Sequence, residues 1–342
     1  MAENSKIQWT DATWNPWRGC TKVSAGCQFC YADTLSKRNP LVLGVWGPQG
    51  TRVVASEAKW REPVAWDRAA KAAGERRRVF CASLADVFES WDGPMVGSKG
   101  DIVSHDSGDP PWRELGAGKR ITMQDIRARL FRLIDDTPHL DWLLLTKRPE
   151  NIATMLPAMP WKTGLGDLGR GVGKAGVRRN LWLGTSVENQ AAADERIPYL
   201  LKVPAVVRFL SVEPLLGPIE FSNVTRRADC VQQLGKKALE GIHWIICGGE
   251  SGPSARPCEV EWIRSVVRQC KAAEVPVFVK QLGSRVSETN FDTEDWNEET
   301  GGPGVCLIDG TDGYLRPVLR DKKGGDVSEF PEDLRIREFP NA

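Results

Sequence analysis

Six apolar runs, each closing in small polar or charged side chains, constrain the fold of this chain more than any other feature. They occupy residues 79–86, 142–148, 181–188, 206–213, 242–250 and 275–281. Short continuous apolar runs suit strands buried on both faces of a parallel sheet. Helix-like stretches lie between them, near 124–135, 150–156, 189–201 and 259–273. Strand alternating with helix is the pattern of a parallel α/β fold. A short strand within residues 7–19 brings the count to about seven units. The expected class is α/β, a parallel (β/α) barrel, closed or partial, with loop insertions and a C-terminal extension. A barrel is preferred because every run ends in reactive side chains, and a barrel gathers such ends at one mouth. An open sheet concentrates ligand contacts at its switch point instead.

The strand within 7–19 runs directly into Gly19-Cys20-Thr21-Lys22-Val23-Ser24-Ala25-Gly26-Cys27-Gln28-Phe29-Cys30. The spacing is C-x6-C-x2-C. Glycines before Cys20 and Cys27 let the backbone turn sharply and leave room for a bulky inorganic group. A Cys-x-x-Cys pair with a third cysteine nearby can wrap one soft metal centre. Three thiolates is the informative number, because structural zinc sites close with four ligands, as do electron-transfer iron–sulfur clusters. A site that stops at three keeps one coordination position for something else.

Composition limits the remaining classes. The chain has 342 residues, is 41% hydrophobic and 27% charged, and carries a net charge of +1. That balance is ordinary for a globular protein, and it supplies no global field toward nucleic acid or membrane. Basic clusters such as Arg76-Arg77-Arg78 and Lys322-Lys323 are scattered and read as solvated surface. The first residues hold no apolar signal segment, and no apolar run is long enough to span a bilayer. A cytoplasmic protein without membrane partners is expected. In that compartment clustered cysteines point to metal or redox chemistry, not disulfides. Cys81, Cys247 and Cys270 lie in apolar segments and read as core thiols. Cys230, Cys258 and Cys306 are isolated. Fourteen tryptophans is a high number, and Trp9, Trp14 and Trp17 ahead of Cys20 read as packing.

The rest of the chain is less patterned. A helix is expected after Cys30, with Ala32, Leu35 and Ser36 on one face. Residues 40–60 read as irregular, and residues 63–74 as a short helix stopped at Gly74. Two stretches, 92–120 and 157–179, read as loop insertions over one face, serving as a lid or substrate contact. The periodic pattern fades near residue 286. Residues 1–285 are therefore expected to form the barrel, and 286–342 an extension packed on it, with a turn and one short helix within 324–334.

These features together resemble a known group. The cysteine loop is similar to that of the radical S-adenosylmethionine (SAM) superfamily, whose usual spacing is C-x3-C-x2-C, and Phe29 matches its aromatic position. More closely, the chain resembles a phage- and mobile-element-associated family of radical-SAM-like three-cysteine proteins of unknown function. That narrower likeness covers nearly the whole chain. It rests on residues 9–16 (WTDATWNP), the cysteine loop, Leu145-Thr146-Lys147-Arg148-Pro149, Ser211-Val212-Glu213-Pro214, Gly248-Gly249-Glu250-Ser251-Gly252 and Gly324-Gly325-Asp326.

The superfamily resemblance implies a [4Fe–4S] cluster on Cys20, Cys27 and Cys30, with SAM chelating the open iron. One electron from a donor then cleaves SAM, and a 5′-deoxyadenosyl radical takes hydrogen from a substrate. Cofactor-binding candidates at the strand ends are Ser83, Asp86, Ser186, Glu188, Glu213, Gly248, Gly249 and Glu250. Ser211 completes the polar ring. Thr146, Lys147, Arg148 and Lys280 are candidates for an anionic substrate, since Arg suits carboxylate or phosphate. A phage setting associates DNA or a nucleotide with the site. Two other readings stay open: a non-catalytic zinc or iron–sulfur module that recruits a partner, with Cys258 or His105 as fourth ligand, and a nucleic-acid-binding protein with a structural cluster.

Overall fold

A computed structural model describes residues 5–103, 120–156, 177–224, 239–287, 308–309, 315–316 and 319–341. The N-terminal part runs β1 (Ala12–Thr13), β2 (Trp17–Arg18), α1 (Tyr31–Arg38), α2 (Pro40–Leu43), β3 (Arg52–Val54), α3 (Glu57–Ala73), β4 (Arg77–Cys81) and β5 (Met95–Val96). The middle holds α4 (Met123–Asp136), β6 (Leu140–Thr146), α5 (Ile152–Met155), β7 (Leu181–Ser186), α6 (Gln190–Lys202), β8 (Val207–Val212) and β9 (Trp244–Gly248). Then follow β10 (Cys258–Glu259), α7 (Val260–Ala272), β11 (Val277–Gln281), β12 (Val286–Ser287), β13 (Ile308–Asp309) and β14 (Leu315–Arg316).

Seven strands form one sheet in the order β1-β4-β6-β7-β8-β9-β11. Every pairing in it is parallel. The order follows the chain without reversal, so each new strand is added on the same side, as in a (β/α) barrel. All six apolar runs are sheet strands. The class is α/β, a parallel half-barrel.

The curl can be measured from side chains. Strands β4 and β9 have three strands between them, about 19 Å apart in a flat sheet. Yet Trp9, just ahead of β1, has its ring 4.7 Å from Phe80 on β4 and 6.1 Å from Trp244 on β9. The sheet therefore wraps around an aromatic interior. Phe80, Leu143, Trp182, Phe209, Trp244, Ile246 and Phe278 fill it. Their neighbours in sequence point outward. Val79, Trp142, Leu183, Leu210, Ile245 and Val279 join the larger core under the helices. Gly184 is required on the inner face, because a Cβ there would meet the Phe209 ring at 2.4 Å.

The structure revises several expectations. Helix α3 begins at Glu57, not near residue 63, and Pro63 lies inside it. Proline has no N–H for the carbonyl four residues back, which is that of Lys59. The buried Trp14 indole donates to that carbonyl instead, at 2.9 Å. Gly74 caps the helix with φ 69°, as expected. Residues 40–60 are not irregular throughout; β3 pairs with β2 and β5 in a small second sheet. Helix α1 buries Ala32, Asp33 and Ser36, while Leu35 is exposed.

The stretches expected to be insertions lie largely outside the described residues. At the end of the chain, two short 3-10 turns, Val327–Glu329 and Glu332–Leu334, stand where one helix was expected. Phe330 and Leu334 enter the larger core. Residues 336–338 then run antiparallel to β11. Val279 N–H donates to Ile336 O at 2.9 Å and Glu338 N–H to Val277 O at 3.0 Å. Phe339 lies on Trp244 and Phe278, with ring centroids 5.5 and 5.4 Å away. Among the described residues no helix is long and apolar enough to cross a membrane.

Candidate active site at the mouth of the half-barrel

The C-terminal ends of the sheet strands surround a cavity of about 270 Å³. Cys20, Cys27 and Cys30 all line it. So do Ser83, Asp86, Thr146, Lys147, Arg148, Ser186, Ser211, Glu213, Glu250 and Lys280, over an apolar floor of Trp9, Phe80 and Leu145. Gly248, Gly249 and Glu188 are not on its wall.

Cys20 is fixed by buried charges that grip its neighbour. Thr21 N–H donates to Glu89 Oε1 at 2.8 Å. Thr21 O accepts from Arg148 Nη2 at 2.7 Å, and Thr21 Oγ1 accepts from Arg52 Nη2 at 2.9 Å. Arg52 and Glu89 are buried and paired by two hydrogen bonds, of 2.9 and 2.8 Å. Arg148 also donates to Asp86 Oδ2 at 2.8 Å and to Cys20 Sγ at 3.7 Å. Asp86 is further occupied by Thr146 Oγ1, the Lys147 N–H and the Phe88 N–H. Burial, with Asp86 and Glu89 nearby, pushes the Cys20 thiol up to about 12, against a counter-pull from Arg148. Burial opposes the Arg148 charge, but Asp86, Cys20 and Glu89 together hold its pKa above the ordinary value.

The longer arm of the loop has separate fastenings. Glu188 is buried and accepts from Ser24 Oγ, from Gly26 N–H at 3.3 Å and from Arg196 Nη1 at 2.6 Å. Burial disfavours its charge, yet Lys147, Arg196 and Ser24 hold its pKa below the usual carboxylate value. Gly26 is needed because a Cβ there would meet Glu188 Oε1 at 2.9 Å. The glycine makes room for a carboxylate, where the sequence suggested room for an inorganic group. From the other side Arg256 donates to Ala25 O at 3.0 Å and Gln28 Oε1 at 3.3 Å, and pairs with Glu250 at 2.7 Å.

The expected residues thus divide. Ser83, Ser186, Ser211, Glu213, Lys147 and Lys280 face the cavity. Lys147 Nζ donates to Ser186 Oγ at 2.8 Å, and Lys280 pairs with Glu213. Asp86, Thr146 and Arg148 reach the wall but are committed to one another. Glu188 and Glu250 hold the cysteine loop. Gly248 packs against Gln281 at the end of β11, and Gly249 against the residue just beyond it, where a Cβ would lie 2.2 Å from Leu282 O. Cys258 is buried in the outer core, away from the cavity, and His105 lies outside the described residues. Arg52, Glu89, Arg196 and Arg256 were missed. Arg52 and Glu89 pair with each other 37 residues apart, and Arg196 and Arg256 reach the strand-end carboxylates Glu188 and Glu250 from a helix and a loop, so neither periodicity nor motif marks them. Only the pair Asp86 and Glu89, three residues apart, hints at them.

A three-thiolate cluster fits this donor set. Three partly exposed thiols on one cavity wall suit a group that takes one thiolate on each of several irons. Among the described residues no group of three or more His, Cys, Asp or Glu side chains, the loop cysteines included, is gathered closely enough to hold a metal ion.

The fold and the site define an α/β half-barrel with a three-cysteine loop at its mouth. The chain belongs to the family described as Protein of unknown function (DUF5131), which matches residues 4–92 and 119–316, well over half of its length. No curated protein matches it. Solved structures similar to it include a Cys-to-Ser mutant of spore photoproduct lyase, at 13% identity and TM-score 0.42, covering 97% of this chain and 74% of that one. A Tyr-to-Phe mutant of the same lyase is similar at 12% identity and TM-score 0.39, covering 93% and 70%.

Proposed function

We propose that the protein is a radical-SAM-type enzyme that holds a [4Fe–4S] cluster on Cys20, Cys27 and Cys30. The observation that carries this reading is the lining of one cavity by all three thiols, at the mouth where six strands end. When bound, the cluster and SAM supply one-electron cleavage of a sulfonium bond and a 5′-deoxyadenosyl radical that takes hydrogen from a substrate.

The chain's own residues bind, orient and exclude water. Ser83, Ser186, Ser211 and Glu213 offer the polar wall for an amino acid and a ribose. Trp9, Phe80 and Leu145 form a dry floor that keeps water from the reacting centre. Lys147 and Lys280 face the cavity as cations for an anionic substrate, with DNA or a nucleotide as the class to try first. We assign the site to residues 1–285, with an extension beyond them whose described tail, residues 319–341, packs on the barrel. A one-electron donor is the further partner the reaction needs.

The test is anaerobic reconstitution with iron and sulfide, followed by iron and sulfide determination and calorimetry with SAM. The expected result is four irons per chain, lost on Cys20→Ala, Cys27→Ala or Cys30→Ala, and SAM binding with release of 5′-deoxyadenosine on reduction. A protein that binds one zinc through four ligands and takes no iron refutes the reading. A full cluster without SAM binding leaves only the non-catalytic module.

A further inference from the structure

Arg148 stands in the motif expected to hold an anionic substrate, yet its guanidinium is buried and both terminal nitrogens are engaged within the protein. Its partners are Asp86 Oδ2 at 2.8 Å, Thr21 O at 2.7 Å, Cys20 Sγ at 3.7 Å and Glu89 Oε1 at 3.6 Å. The Asp86 carboxylate and the Thr21 carbonyl hold it by hydrogen bonds, with Glu89 as a longer ion pair, so that Nη1 is directed at the sulfur. Arg52, paired with Glu89, closes the network behind it. We infer that Arg148 is a positioning residue for the Cys20 ligand and that its N–H to sulfur contact sets the reduction potential of the cluster there.

The inference rests on the cluster reading above and deepens it. Hydrogen bonds to ligand sulfurs and net charge around a cluster are among the terms that set its potential. A cation bonded to a thiolate favours the added electron, because reduction makes the centre more negative. A nearby carboxylate does the opposite. Arg148 and Asp86 touch each other, so their removal perturbs the same packing but changes local charge in opposite directions.

The measurement is a dithionite titration of the reconstituted protein under argon, with mediators, followed by the cluster's absorbance and electron paramagnetic resonance. Arg148→Gln is expected to lower the one-electron reduction constant by about tenfold, roughly 59 mV. Arg148→Lys, which keeps the charge and loses the planar fork, is expected between it and the wild type. Asp86→Asn is expected to move the potential the other way. If Arg148→Gln does not fold, Arg148→Lys and Asp86→Asn decide. Unchanged potentials at full iron content overturn the inference, as do shifts of one sign in Arg148 and Asp86 variants, which indicate water entry alone. A wild type that takes no cluster overturns the reading beneath it as well, which separates the two failures.

Discussion

Replacing Glu188 should loosen the cysteine loop without touching a cysteine. The carboxylate is 1% exposed and Arg196, its partner at 2.6 Å, is 4% exposed. Glu188→Ala strands the guanidinium inside the protein, a loss of about 3–5 kcal/mol for one half of a buried pair. Arg196 keeps one compensating bond, from Nη1 to Ser186 O at 2.9 Å, so the lower end is expected. Glu188→Gln retains an acceptor for Ser24 and Gly26 and loses mainly the charge, about 1.5–3 kcal/mol. Removing both partners, as Glu188→Leu with Arg196→Met, should cost less than Glu188→Ala alone, since no charge is then left unpaired.

Urea unfolding gives the global term, and hydrogen exchange over residues 20–30 gives the local one. Exchange at the Gly26 amide should rise in Glu188→Ala more than at Thr21, whose N–H is held independently by Glu89. The pH dependence has a defined sign. The Glu188 pKa is lowered on folding, so its contribution is fully present above the ordinary carboxylate range. It is lost as pH falls through the lowered value, and the gap to Glu188→Gln closes there. Equal midpoints for Glu188→Gln and wild type at neutral pH, with unchanged exchange at Gly26, would falsify the clamp.

Other outcomes follow from the packing. Trp14→Phe should cost about 1–3 kcal/mol, because the Lys59 carbonyl loses its donor; combining it with Pro63→Ala, which restores a backbone N–H there, should recover part of that, and additivity within about 0.5 kcal/mol in urea refutes the substitution of donors. Gly184→Ala should destabilise by about 1–3 kcal/mol through overpacking on Phe209, read as a lower melting temperature; an unchanged one means the inner face has room to give. Phe339→Ala removes two aromatic contacts worth about 0.5–1.5 kcal/mol each and should lower the urea midpoint accordingly; an unchanged midpoint shows that Phe339 adds nothing to that cluster.

Much of the scaffold was legible because burial on both faces leaves a mark in composition. The runs at 142–148 and 181–188 could hardly be anything but inner strands, and the cysteines announced themselves by spacing. The reciprocal cap of Thr122 and Asp125, which starts α4 at Met123, was not read from the sequence. What else stayed hidden depends on pairs far apart in sequence. Arg52 on the three-residue β3 meets Glu89 in the loop between β4 and β5, and no periodicity reveals that pairing. Pro63 reads as a helix boundary until Trp14 is seen beside it. Glu188 and Arg148 looked like ligands for a small molecule, since a charged group at a strand end has the same sequence appearance whether it faces a cavity or a loop. The distinction is geometric, and partners such as Thr21 for Arg148 and Ser24 for Glu188, 127 and 164 residues away, settle it.

The antiparallel pairing of residues 336–338 with β11 also bears on how copies of the chain behave toward one another. A half-barrel never closes on itself, so its sheet keeps two margins where backbone donors and acceptors could template a neighbour's strand. On the β1 side the margin is only two residues long. On the β11 side the chain's own tail already takes the Val279 N–H and the Val277 carbonyl. Among the described residues both margins of the sheet are therefore short or already paired, which leaves little free backbone for a neighbour's strand.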